Sequence, residues 1–337
     1  MTIGVIVNEI KDADLSVARQ IGAAVAARGG TAVLSAGAGT HAGAGTSAGA
    51  GTHAGAGMSA GAGTSAGAGT SAGAGTSAGA GTSAGAVSGS VSVSGDLSAG
   101  EAFARCDALI CIGGDGTLIK AARESLVCDA PLFGVNLGSL GYLTEVETSQ
   151  IDAILDRIFV RDYRIEERMM LTIARDGMPC ETALNELYIG RGDSPHVVRL
   201  KLFIDGSFLD MYSGDGILIS TPTGSTAYSL SAGGPVIDPE LKVISIVPVC
   251  PHVIFSRPVM IAPDKEITVV PVSVDGDFKA SVAIDGFNGP ELRAGESIRI
   301  RRSAHVTKIL RFNTDNFYVV LKNKLFKTSD KYGTEDF

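Results

Sequence analysis

No run of about 20 apolar residues occurs in the 337-residue chain, so nothing in it reads as a helix that crosses a bilayer. Basic residues are in the minority. The 28 Lys and Arg against 36 Asp and Glu give a formal net charge of −8, which disfavours a broad nucleic-acid or anionic-membrane surface. The first residues, MTIGVIVNEIKDAD, carry no basic segment ahead of the apolar ones and meet acids early. They read as a first strand and not as a signal peptide. Cysteine is scarce and unpatterned: Cys106, Cys111, Cys128, Cys180 and Cys250 are odd in number and form no C-x-x-C pair. Most sit in or beside apolar runs, where a free thiol behaves as a small hydrophobe. The expectation is a reducing cytoplasm, no disulfide framework and no cysteine-based metal site.

What is present falls into three textures. TIGVIVN (2–8) is a short apolar strand, residues 14–30 have helical periodicity and end on glycines, and TAVL (31–34) is a second strand. From Ser35 the chain repeats a six-residue unit, SAGAGT, which decays into SAGAVSGSVSVSG. Gly is costly to order, and Ala and Ser offer little apolar area. Residues 35–94 are therefore expected to be a flexible insertion in a surface loop, with silk-like stacked β-structure as the alternative. The repeat also creates G-x-S-x-G and dinucleotide-like matches by recurrence, outside the strand–turn–helix context that would give them meaning. His41 and His53 lie in it with no fixed scaffold for a metal. After it, strand–helix alternation resumes through DALICI, LIKAARESL, PLFGVN and IDAILDRIFV, which suggests parallel strands with covering helices. From about Tyr163, strand-like runs follow one another between Gly, Pro and Asp, as in a mostly antiparallel β domain. The expected organisation is an α/β domain of residues 1–34 and 95–160, a β-rich domain of 161–320 and a tail of 321–337. VVLKNKLF stays open between a strand and a helix.

Three stretches carry chemistry. GGDGT (113–117) lies where the DALICI strand turns into a helix. Gly113, Gly114 and Gly116 let a ligand approach the backbone, and the amides of the helix start suit a phosphate. Asp115 would repel that phosphate. It makes sense if it binds Mg²⁺ for the phosphate, takes a proton from an attacking hydroxyl, or simply caps the helix. The phosphate-binding loop G-x-x-x-x-G-K-[ST] is absent, which excludes a P-loop kinase. GDGILISTPTGSTAYSLSAGGPVIDP (214–239) is dense in hydroxyls and small residues, as a multi-oxygen ligand needs, with a turn-rich connection as the alternative. NELYIG (185–190) opens an apolar run on an Asn–Glu pair, whose side chains meet one ligand only at a strand end or bend.

GGDGT, NLGSLGYLTE (136–145), NELYIGRG (185–192) and DGILISTPTGSTAYSLSAGGP (215–235), in this order, resemble the NAD kinase family over residues 1–34 and 95–320. GGDGT alone is shared in close variants with diacylglycerol kinases, sphingosine kinases and phosphofructokinases. TPTGSTAY after GDG is far more specific. The resemblance implies an α/β N-terminal domain, with a parallel sheet and covering helices, plus a mostly β C-terminal domain. It implies phosphoryl transfer from ATP or polyphosphate, with Mg²⁺, to the 2′-hydroxyl of the adenosine ribose of NAD. Asp115 would be the base, and Gly113, Gly114, Gly116 and Thr117 would hold donor phosphates. Asn185 and Glu186 would hold the ribose and adenine side of NAD. Thr226, Ala227, Tyr228 and Ser231 would line the dinucleotide pocket. Asp215 would reach the nicotinamide end, often from a neighbouring subunit, in a homodimer or homotetramer. The alternatives are a non-catalytic NAD- or NADP-binding protein and a diacylglycerol-type lipid kinase. Asp285 and Gly286 resemble a family position near the active site, with a plain β-turn as the other reading. His196, His252 and His305 read as polar strand or loop residues. Arg299, Arg301 and Arg302 read as a solvated face or as a help to donor phosphates.

Overall fold

The computed structural model describes residues 1–8, 10–35, 91–93, 103–138, 141–252, 256–273, 278–312 and 317–325. The expected flexibility of the 35–94 segment lies outside these residues, apart from Ser35 and Val91–Val93, both of which belong to strands.

Strands β1 (Thr2–Val7), β2 (Thr31–Ser35), β3 (Val91–Val93), β4 (Ala108–Gly113), β5 (Leu132–Asn136) and the short β6 (Val146–Glu147) form a wholly parallel sheet. Their spatial order is β6-β5-β4-β1-β2-β3. β4 and β5 are buried throughout, as expected of strands covered on both faces. Alternate side chains serve opposite layers. Val5 and Ile110 pack with α1 (Ser16–Ala27) and the later α3 (Ile151–Phe159), whereas Ile6, Leu109 and Cys111 pack with α2 (Asp115–Cys128). α1 buries Ala18, Ile21, Gly22 and Val25, a stripe at helical spacing. Its first turn is capped from upstream by Asp12, whose carboxylate accepts from the amides of Val17 at 3.2 Å and Ala18 at 3.1 Å.

The rest is nearly all strand. β7 (Arg164–Arg175), β8 (Glu181–Ala183), β9 (Glu186–Gly190), β10 (Val198–Ile204), β11 (Ser207–Gly214), β12 (Gly216–Ser220) and β13 (Ile244–Val249) come first. β14 (Val259–Ile261), β15 (Ile267–Pro271), β16 (Lys279–Ile284), β17 (Phe287–Asn288), β18 (Leu292–Arg293) and β19 (Ile298–Arg311) follow. One layer pairs as β14-β13-β12-β9-β16-β17, all antiparallel. The other holds β11, β10, β15, β19, β7 and β8. Leu187, Ile189, Ile217 and Ile219 of the first layer meet Leu171, Leu200, Val269 and Ile300 of the second in one apolar core. β19 joins the two halves of the molecule. It is antiparallel to β7 and β15, yet Ile309 pairs in parallel with Leu132 of β5. The β-rich layer thereby continues the parallel sheet, and the end of β19 is carried to the strand tips beside GGDGT.

The hydroxyl-rich stretch is wound and not open. A 3-10 turn, Thr223–Thr226, runs into a single helical turn α4 (Tyr228–Ser231). The undecided C-terminal stretch is a helix, α5 (Phe317–Leu325), which crosses the expected start of the tail at residue 321. It returns to the α/β part: Lys324 Nζ sits 4.4 Å from the centre of the Tyr142 ring. Among the described residues no helix is long and apolar enough to cross a membrane. All five cysteines are free, and burial pushes the Cys106 thiol up to about 12.

Candidate active site

Asp115 is the first residue of α2, directly after β4 and the extended N-cap Gly114. Its carboxylate does not point into open solvent. Oδ2 accepts from the Tyr142 amide at 2.7 Å. Oδ1 accepts from the amides of Leu143 at 3.1 Å and Thr144 at 3.0 Å and from Thr144 Oγ1 at 3.1 Å. NLGSLGYLTE is thus a cradle for this one carboxylate. Gly141 is part of it, since a Cβ there would overlap the Asp115 carboxylate and the Thr144 hydroxyl. The load is uneven. A carboxylate oxygen has about two lone-pair sites, so Oδ1 is filled and Oδ2 keeps acceptor capacity. Gly113 closes β4, Gly116 is exposed, and the Thr117 hydroxyl accepts from Asn8 Nδ2 at 3.1 Å. Lys11 was not singled out by its sequence context. Its Nζ lies 3.5 Å from where a Gly114 side chain would stand, which brings a cation to the glycine loop.

A second cluster forms where β9 begins. Asp285 and Gly286 make the tight turn between β16 and β17, both with positive φ (51° and 80°), as such hairpins require. The turn has a second task. Asp285 Oδ2 accepts from the Leu184 amide at 2.8 Å, and Oδ1 accepts from the amides of Asn185 at 2.7 Å and Glu186 at 3.1 Å. The hydroxyl-rich loop closes on the same residues. The Thr221 amide donates to the Asn185 carbonyl at 2.9 Å, and Thr221 Oγ1 donates to the Leu184 carbonyl at 2.6 Å. Asn185 and Glu186 are each 7% exposed, yet Asn185 Oδ1 and Glu186 Oε2 are buried without a hydrogen-bond partner. Buried polar atoms of this kind are rare unless a ligand or water completes them. Burial, and then the negative charge of Asp285, pushes the Glu186 carboxyl up to about 8.

Tyr228, Asp215 and Arg191 gather elsewhere. The Tyr228 ring, 43% exposed, packs 5.7 Å from that of Tyr188, whose hydroxyl donates to the Asp215 carbonyl at 3.0 Å. Arg191 Nε pairs with Asp215 Oδ1 at 2.8 Å. Ser220 lies opposite Glu186, so Asp215 stands at the far end of β12, about 17 Å away along the strand. Within one chain the structure does not bring Asp215 to Asn185 and Glu186. Thr226 ends the 3-10 turn and Ala227 links it to Tyr228, both half-buried, and Ser231 is exposed at the end of α4. His196, His252 and His305 are exposed. Arg299 is paired with Asp176 at 2.6 Å on the first half of β19.

A chain of buried and half-buried charges joins the first two clusters. Arg311 Nη1 donates to the Leu143 carbonyl at 3.0 Å and meets Glu145 Oε2 at 3.4 Å. Arg311 Nε pairs with Glu166 Oε2 at 3.1 Å. Glu166 Oε1 is held by Arg168, whose Nη1 donates to Thr223 Oγ1 at 3.3 Å. Glu145, Glu166, Arg168 and Arg311, with Gly141, Tyr142 and Thr144, line a cavity of about 200 Å³. The two guanidiniums hold the Glu166 carboxyl below its ordinary range against the upward push of burial. Arg168, almost wholly buried, is itself lowered to about 10 by desolvation.

Comparison with known proteins agrees with this geometry. Residues 80–163 match the ATP-NAD kinase N-terminal domain, and residues 184–312 match the ATP-NAD kinase C-terminal domain. An NAD kinase of Ruminiclostridium cellulolyticum is 40% identical over 230 residues, covering 67% of this chain and 80% of the relative. One of Acetivibrio thermocellus is 43% identical over 224 residues, covering 65% and 77%. Among solved structures, yeast NADH kinase complexed with NADH aligns with a TM-score of 0.63 at 26% identity, over 70% of this chain and 71% of that one. An NAD kinase from Archaeoglobus fulgidus in complex with ATP aligns at 0.65 over 99% and 100%, and at 20% identity this likeness is one of fold. With both domain models matched in order and relatives near 40% identity, the chain belongs to the NAD kinase family.

Proposed function

We propose that the chain transfers a phosphoryl group from ATP or polyphosphate to the 2′-hydroxyl of the adenosine ribose of NAD, giving NADP, with Asp115 as the base. The observation that carries this assignment is the uneven loading of the Asp115 carboxylate: Oδ1 is saturated by the loop, and Oδ2, with one amide, is left to accept a proton. The hydroxyl proton passes to Oδ2 as the ribose oxygen bonds to the terminal phosphorus. The bond from that phosphorus to the rest of the donor breaks, and ADP or a shortened polyphosphate leaves. Positioning and charge compensation account for most of the rate in such transfers.

Gly113, Gly114, Gly116 and Thr117 hold the donor phosphates at the positive end of α2, with Lys11 as a cation beside them. The partnerless Asn185 Oδ1 and Glu186 Oε2 take polar groups on the ribose and adenine side of NAD, and Thr226, Ala227, Tyr228 and Ser231 border the dinucleotide. The separation of Asp215 from Asn185 favours its service to a neighbouring subunit, hence a homodimer or homotetramer. The residues fit Mg²⁺ as a companion of the donor. Mg²⁺ takes oxygen ligands, and at the glycine loop the donor phosphates would supply them, which leaves Asp115 Oδ2 to the proton. When bound, the ion would offset phosphate charge. Free cysteines and the substrates NAD and ATP fit a cytoplasmic enzyme, and the acidic balance fits neither nucleic acid nor membrane as a partner.

The test is NADP formation from NAD with ATP or polyphosphate and Mg²⁺, run beside Asp115→Asn. The expected result is turnover by the wild type and a loss of roughly 10²–10⁴-fold in the variant, with NAD binding kept. A folded wild type that binds NAD but makes no NADP with either donor would replace the kinase reading with that of a nucleotide sensor.

A further inference from the structure

We propose that Arg311, Glu166 and Arg168 are positioning residues for phosphoryl transfer: they hold the loop that aims Asp115 at a fixed distance from the loop that holds the acceptor. The proposal rests on the reading of Asp115 as the base.

The position of Asp115 Oδ2 is set by the amides of residues 142–144, because those amides supply three of its carboxylate's four hydrogen bonds. The same loop is fixed from its other side by β19. Arg311 takes the Leu143 carbonyl, the neighbouring Phe312 amide donates to Glu145 Oε1 at 2.8 Å, and Arg311 Nη1 meets Glu145 Oε2. Glu166 couples Arg311 to Arg168, and Arg168 ends on the hydroxyl of Thr223, the first residue of the 3-10 turn that leads to Thr226, Ala227 and Tyr228. Every link from Asp115 to the hydroxyl-rich loop is thus a hydrogen bond or an ion pair.

Stability does not account for such a device. Arg168 is 5% exposed and Arg311 9%, and burying two guanidiniums around one carboxylate costs much of what their attraction returns. Well-packed apolar residues would serve a core at least as well. Arginine forks instead fix angle as well as distance, since each donates in a plane to two or more acceptors. An in-line transfer needs that accuracy, and a displacement of about 1 Å between base and acceptor is worth about 10²-fold in rate.

The test is Glu166→Gln, with Arg311→Lys and Thr223→Val carrying the same measurement should Glu166→Gln not fold. Each variant is assayed for steady-state NADP formation and thermal unfolding, alone and combined with Asp115→Asn. The expected result for Glu166→Gln is a fall in kcat of roughly 10- to 100-fold, with KM for NAD within about threefold. In the Asp115→Asn background the same substitution is expected to cost almost nothing more, because the carboxylate it positions is gone. Unchanged kcat in folded Glu166→Gln, or a loss that multiplies with that of Asp115→Asn, would overturn the proposal. Failure of the underlying reading looks different, since Asp115→Asn itself would then retain turnover.

Discussion

Glu186 allows a quantitative test of the buried NAD-side cluster. Its carboxyl is 7% exposed, its Oε2 has no partner, and Asp285 lies beside it. Burial and that neighbouring charge push it from 4.5 to about 8. Asp285 is raised by its own burial against the pull of three amides and of Arg123 on α2. Between these two pH values the folded protein keeps a proton on Glu186 that the unfolded chain has released. Stability therefore falls as pH rises from 4.5 towards 8, and this contribution is intact only below 4.5. Each pH unit is worth about 1.4 kcal/mol, so the 3.5-unit interval amounts to about 5 kcal/mol. Glu186→Gln keeps the shape and polarity of the side chain and removes the titration. The variant should match the wild type near pH 4.5 and exceed it by up to about 5 kcal/mol above pH 8. Urea unfolding of both proteins without nucleotide, at half-unit steps from pH 4.5 to 8.5, measures the difference directly. A difference that stays flat across this range would mean that Glu186 ionises in the folded state as easily as in water, and the burial argument would fail. The gain in stability should accompany weaker NAD binding, as expected where a site keeps a polar atom unsatisfied for its ligand.

Two further substitutions probe the cradles. Gly141→Ala should lower kcat by about 10²-fold, because its Cβ would displace the Asp115 carboxylate or the Thr144 hydroxyl; unchanged steady-state kinetics would show that the loop yields without moving Asp115. Asp285→Ala strips the acceptor from three amides at the start of β9, which should cost at least about 3 kcal/mol at 1–3 kcal/mol per unsatisfied group, and should raise KM for NAD. A loss under 1 kcal/mol in urea unfolding would mean that water or a neighbouring group takes those amides over.

Much of the framework can be read from residues near one another in the chain. ALICI announces a strand buried on both faces, and the stripe of Ala18, Ile21 and Val25 announces a helix lying on it. The glycines around Asp115 mark a strand–helix turn without reference to any other segment. The partners of that carboxylate are 27 to 29 residues on, in GYLT, where only the small size of Gly141 hints at close approach. VVLKNKLF resists assignment because its β-branched start and charged end suit a strand edge as well as a helix, and tertiary contact with Tyr142 accompanies the helix. The DG of Asp285 and Gly286 forms the turn that is one of its two open readings, but the task of its carboxylate lies 99 to 101 residues upstream and leaves no local mark.

The arginine network is the extreme case. Glu145, Glu166, Arg168 and Arg311 each look like an ordinary charge at a strand end or strand edge, and their pairing depends on β19 running antiparallel to β7 while reaching β5 in parallel. One signal was available. Arg168 stands directly before the buried run Met169, Met170 and Leu171, where a charge is out of place unless something deep in the fold needs it. A charge at the margin of an apolar run has two physical outcomes: it turns outward to water, or it is buried with partners enough to offset its desolvation. Here the second holds: Glu166 of β7 pairs with both arginines, and Leu143, Glu145 and Thr223 come from the two loops whose separation phosphoryl transfer must control. The buried arginines are therefore better explained by the geometry of the reaction than by the stability of the sheet that carries them.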